Sequence, residues 1–125
     1  MKIAYNTDCF MLRDPLTESK VEICSWNFDY TVPPSNTGIL SFRINKGTPF
    51  FTKIKDQPIR LQGYPFFLDI LTENRTELIV VDRVCNGFNV TDNNVEVMGC
   101  EVKYIDNLEF FKKIQYQRWL YNDKD

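Results

Sequence analysis

Residues 38 to 45 alternate most cleanly in this chain, with Leu40, Phe42 and Ile44 on one side of an extended backbone and Ser41, Arg43 and Asn45 on the other. A two-residue period of this kind predicts a strand with one buried face. The same period runs from Lys20 to Tyr30, where Cys24, Trp26, Phe28 and Tyr30 share a face until Pro33-Pro34-Ser35-Asn36 breaks it. It returns at 95 to 105 with Met98, Cys100, Val102 and Tyr104, interrupted by Gly99, which reads as a bulge. Between these, Glu77 to Cys85 holds the β-branched run Leu78-Ile79-Val80-Val81 and then Val84, the signature of a central strand buried on both faces.

The remaining segments are shorter. A first strand falls within 2 to 12 and ends at the turn Asp14-Pro15 with Thr17-Glu18-Ser19. Lys46-Gly47-Thr48-Pro49 reads as a turn, and Phe50 to Lys55 as a short strand returning along the previous one. Pro65 followed by Phe67, Ile70 and Leu71 at three- and four-residue spacing predicts a short helix near 65–74. Asn86-Gly87 and Asp92-Asn93-Asn94 are turn sequences flanking the brief Phe88-Asn89-Val90. Asn107 can cap a C-terminal helix with Glu109 in its first turn and Lys112, Lys113 and Arg118 further on, the charge order that suits the helix dipole. Ile114, Tyr116 and Leu120 also alternate, so a strand over 108–121 stands as the rival. The fold class expected is α+β: an antiparallel or mixed sheet of five to six strands, with the helix near 65–74 and a C-terminal helix packed on one face.

Composition narrows the class. The 125 residues suit a single domain over 1–125 with a frayed polar tail at 122–125, and 43% hydrophobic against 26% charged residues is the balance of a globular chain. The only alanine is Ala4, which argues against a helical bundle, and 14% aromatics favour strands and contact surfaces. Histidine is absent, which excludes Ser-His and Cys-His catalysis and imidazole-metal sites. Cys9, Cys24, Cys85 and Cys100 show no C-x-x-C spacing and read as reduced, buried residues. Acidic and basic residues within 1–20 exclude a secretory apolar segment, and no apolar run approaches membrane-spanning length, so a cytoplasmic location without membrane contact is expected.

Charge is unevenly spread. Arg43, Lys46, Lys53, Lys55 and Arg60 face only Asp56 in 43–60, whereas 61–109 holds nine acids against three cations within a net charge of -2. The basic segment with its Phe51 suits a nucleic-acid module, in which Lys53, Lys55 and Arg60 hold phosphates while Phe51 stacks on a base. The simpler reading is a hairpin whose lysines solvate an edge. Tyr116, Arg118, Trp119 and Tyr121 combine the residue types most enriched at interface hot spots, although Trp119 and Tyr121 could equally close the core. The acids Asp92, Glu96 and Glu101 would complement a basic partner such as a toxin or nuclease.

Chemistry-bearing groups are sparse. Asp69 and Glu73 would share a face of the predicted short helix and form the carboxylate pair of a third, enzymatic reading. Cys85 beside Asn86-Gly87 is the candidate nucleophile, lacking an imidazole base. Asp92-Asn93-Asn94 lacks the Gly and downstream Glu of a calcium loop, and the five glycines stand singly, without a phosphate loop. No metal or cofactor is called for. The function expected is non-enzymatic protein binding by a small inhibitor of the immunity-protein, antitoxin or phage-antagonist kind that occludes a partner.

Overall fold

The computed structural model describes residues 3–5, 9–29, 37–84 and 87–122, with the side chains of 3–5, 28–29, 49, 53 and 118–122 outside that description. Among the described residues eight strands form one antiparallel sheet: β1 (Ile3–Tyr5), β2 (Phe10–Arg13), β3 (Lys20–Asp29), β4 (Thr37–Asn45), β5 (Pro65–Ile70), β6 (Arg75–Val84), β7 (Phe88–Val90) and β8 (Asn94–Tyr104). Two helices join them, α1 (Pro49–Ile54) and α2 (Asn107–Asn122), with a 3-10 turn at Pro58–Leu61. The sheet closes on itself. Its order β3-β2-β5-β6-β8-β4 returns to β3 through the pairing of Glu22 to Phe28 with Arg43 to Gly38, giving a barrel of six strands. β1 pairs with the far half of β3 and β7 with the near half of β8, so each extends the wall beside a long strand.

Three bulges bend the long strands around this small barrel: one extra residue at Cys24 in β3, one at Asp82 in β6 and one at Met98-Gly99 in β8. A bulge raises local twist and reverses which side chains face inward. Thus Val95 and Val97 point into the core, and after the bulge Cys100 and Val102 do so, leaving Met98 exposed. Gly99 supplies the positive φ of +67° that the bulge requires. The single-face pattern expected for Met98 with Cys100 is corrected accordingly, and likewise Cys24 is exposed while Trp26 is buried.

Leu12, Val21, Leu40, Phe42, Ile44, Phe66, Leu68, Ile70, Ile79 and Val81 fill the interior with the inward residues of β8. The chain from β4 to β5 must cross between strands that are not ring neighbours, and its apolar residues plug the barrel on the way. Phe50, Phe51, Ile54, Leu61 and Tyr64 are all buried, and the Phe50 ring lies 5.8 Å from Phe66 and 4.6 Å from Tyr64. Here the expected strand Phe50–Lys55 is instead a helix. The Thr48 hydroxyl accepts from the Phe51 N–H at 3.1 Å and Pro49 takes the first helical position, a start signal stronger than the alternation that follows.

The helix expected near 65–74 is also absent: β5 occupies Pro65–Ile70, and the turn Leu71 to Asn74 leads into β6, with Asn74 at φ +52°. Phe66, Leu68 and Ile70 obey the strand period inward, while Phe67 points outward and meets the Phe110 ring at 5.0 Å. That outward contact supports α2, the C-terminal helix, which lies against β5 and β6 and covers Val80. β6 therefore buries three consecutive residues, Ile79 to Val81, as the β-branched run predicts. The cap is Asp106 rather than Asn107, its carboxylate accepting from the Glu109 N–H at 2.8 Å. The expected break at Pro33–Asn36, the nucleophile candidate Cys85, Asn86 and the tail beyond Asn122 lie outside the described residues.

Candidate functional site

Two surfaces stand out, and they lie on different parts of the barrel wall. The first is the outward side of α2. Phe110 and Gln117, two turns apart, face the barrel and are buried, whereas Leu108 (66% exposed), Phe111 (65%) and Tyr116 (60%) project from the same helix into solvent. A helix of a globular domain ordinarily turns its apolar residues to the sheet and its polar ones out. In α2 large apolar residues occupy both sides. Arg118, Trp119 and Tyr121 belong to this helix, and their side chains lie outside the described residues.

The second surface is a groove on the outer face of β3, β4 and β8, missed by the sequence reading because it is made by bulges. Those at Cys24 and at Met98-Gly99 flank Ser41 of β4, whose hydroxyl accepts from the Gly99 N–H at 3.1 Å. Cys24, Ser25, Ile39, Ser41 and Met98 line a hollow of about 390 Å³, which shares Ile39 with a second hollow of about 310 Å³ bordered by Asn27, Thr37, Asp82 and Glu101. The one sequence signal toward it was Gly99, which reads as a bulge.

Charges around the groove are already paired. Arg43 donates to Glu22 at 2.9 Å and to Glu96 at 3.1 Å, Arg83 donates to Glu101 at 3.3 Å, and Lys103 lies 3.6 Å from Asp82. Of the acids expected to meet a partner, Glu96 and Glu101 thus stand on β8 within ion pairs, and Asp92 sits exposed in the turn before it. They are not brought together with Tyr116, which rides on α2 over β5 and β6. Arg43, counted among the basic segment, serves as the counter-ion of Glu22 and Glu96.

The rest of that segment divides. Phe51 is 5% exposed, with the Lys55 ammonium 6.0 Å from its ring centre, so its ring is a plug of the barrel and not a free stacking platform. Arg60 donates to Gln57 at 3.1 Å, and the Lys53 side chain lies outside the described residues. A shallow hollow of about 570 Å³ is lined by Lys46, Thr48, Phe51 and Lys55.

Burial works against the Asp69 carboxylate, yet hydrogen bonds from Arg13 and Thr76 prevail and hold it below the usual carboxylate range. Its expected helical partner Glu73 lies instead in the following turn, 3.8 Å from Arg75, so the carboxylate pair does not form. Burial pushes the Glu77 carboxyl up against the opposing pull of Arg75. It also pushes the Cys24 thiol up against the pull of Arg43, the reverse of an activated nucleophile. Cys9 and Cys24 are exposed, correcting the expectation that the cysteines are buried, which holds for Cys100. Among the described residues no group of three or more Cys, Asp or Glu side chains is placed to hold a metal ion, and no helix is long and apolar enough to cross a membrane. Comparison of the chain with protein-family models, curated proteins and solved structures found no match to any of them.

Proposed function

We propose that this chain is a non-enzymatic protein-binding domain, a small inhibitor that occludes its partner by laying the outward side of α2 into an apolar groove. The observation that carries this reading is the double-sided helix: Phe110 docks on Phe67 and Gln117 is buried with it, while Leu108, Phe111 and Tyr116 of the same helix are exposed. Large apolar side chains left exposed on a helix, here Leu108 and Phe111 one turn apart with Tyr116 further along, are the kind of anchor used in helix-in-groove recognition. The acid excess over 61–109 favours a basic partner, since a net field steers encounter even where individual acids are paired locally. An immunity protein, an antitoxin or a phage antagonist would all work in this way.

The test compares the full chain with Leu108→Glu/Phe111→Glu, which should fold normally. A stoichiometric complex with a single protein, lost in this double variant and retained in Met98→Glu, supports the reading. A complex indifferent to the α2 changes, or a chain that associates only with itself, overturns it. Salt-dependent binding to single-stranded DNA or RNA that falls in Lys46→Gln/Lys55→Gln would favour the nucleic-acid reading instead.

A further inference from the structure

We propose that Cys9 and Cys24 are partners in a reversible disulfide that ties the start of β2 to β3 on the outside of the barrel wall. The register between β2 and β3 brings them close. Leu12 pairs with Val21, and extending that register three residues back from Leu12 sets Cys9 opposite Cys24. The faces agree with this placement. Ile23 packs against the core with Phe10, whereas Cys9 and Cys24 are both exposed on the outside of the wall.

Beyond the last β2–β3 pair at Leu12, side chains still meet across to β3. Cys9 is still held in the sheet, its carbonyl accepting from the Leu71 N–H at 2.8 Å, and the Phe10 ring lies 4.1 Å from Trp26 across to β3. Directly opposed residues of an antiparallel pair have Cβ atoms about 4.5–5.5 Å apart, against about 3.5–4.5 Å in a disulfide. Closing that gap needs a small local shift. Cys24 can supply it because it is the extra residue of the β3 bulge, where the pairing with β4 is already interrupted.

A small-molecule disulfide such as glutathione disulfide serves as the oxidant. One protein thiolate attacks a glutathione sulfur and expels the first glutathione thiolate; the second protein thiolate then attacks the protein-bound sulfur and expels the other. The chain loses two hydrogens, two electrons pass to glutathione, and glutathione leaves as two thiols. Closure withdraws Cys24 from the groove it shares with Ser41 and Met98, so the latch would alter that surface as well as tie the loop from 9 to 24.

The experiment incubates the reduced, folded full chain with glutathione disulfide, blocks free thiols, digests without reductant and maps linked peptides by mass spectrometry. The Cys9 and Cys24 peptides should appear joined, with Cys100 unmodified, and the link should vanish in Cys9→Ser and in Cys24→Ser but persist in Cys85→Ser. The oxidised chain should also unfold at a higher urea concentration than the reduced one, a shift that Cys24→Ser removes. Separate glutathione adducts on Cys9 and Cys24, a link from either to Cys85, or linking only in urea would each overturn the proposal.

Discussion

The Tyr64 hydroxyl, at the end of the segment that plugs the barrel, donates a 2.7 Å hydrogen bond to the buried carboxylate of Asp14 fifty residues earlier. The other donors to that carboxylate are the Leu16 N–H at 3.1 Å and the Thr17 hydroxyl at 2.7 Å, which shape the turn from β2 to β3. One side chain thus ties a hairpin turn to the plug. Tyr64→Phe should lower stability by about 1–3 kcal/mol, because a fully buried carboxylate loses a donor that water cannot replace. The urea midpoint measures it, and a midpoint equal to that of the parent would show that the bond carries no weight.

How much of this was legible depends on whether each signal is local. β4 and β6 follow from alternation and from a β-branched run, and both are where the pattern places them. For β5 the same residues satisfy two periods. Phe67, Ile70 and Leu71 mimic a helical stripe after Pro65, but the pairing of Phe66 with Ile79 and of Phe67 with Leu78 settles the segment as a strand. Closure of the sheet has no local mark at all, since it rests on β4 meeting both β3 and β8. The groove beside Ser41 was hidden for the same reason. The predicted protein-binding residues divided between α2 and β8 because spacing along a chain does not reveal which elements share a face.

The β8 bulge offers a direct test of that geometry. Gly99 holds φ +67° and its N–H donates to Ser41, so any side chain there adopts a strained backbone. Gly99→Val should cost about 1–3 kcal/mol, in the range of a non-glycine residue held in a disfavoured conformation. Ser41→Ala should cost about 1 kcal/mol or less, because only one hydrogen bond is lost and the groove admits water. Chemical denaturation of both variants decides; equal costs would mean that the hydrogen bond and not the backbone sets the bulge.

Asp69 and Glu77 should shape the acid limb of stability with opposite signs. The folded carboxyl of Asp69 titrates lower than in the unfolded chain, so its contribution is present above the ordinary Asp pKa of about 3.9 and disappears as pH falls through the lower folded value. Glu77 titrates higher when folded, so acidification through that raised value toward the ordinary Glu pKa of about 4.3 favours the fold. Asp69→Asn should flatten the loss of stability at the acid extreme, and Glu77→Gln should remove the gain that precedes it. Urea titrations across the acid range read both, and matching profiles for parent and variants would refute the assignment.

The two sides of α2 make separable demands on the same helix. Phe110 is buried against Phe67, so Phe110→Ala should destabilise the domain by about 3 kcal/mol, near the lower end for an aromatic removed from a packed site. Phe111, one residue on, is 65% exposed, and Phe111→Glu should change the unfolding free energy in urea by no more than about 0.5 kcal/mol. If the outward side is the contact surface, the exposed substitution nevertheless weakens the complex by at least about tenfold, the scale of a hot-spot residue, while the folded monomer is unchanged. Measuring stability and partner affinity on both variants separates the roles: loss of affinity only in proportion to unfolding would make α2 a structural cover for β5 and β6 and nothing more.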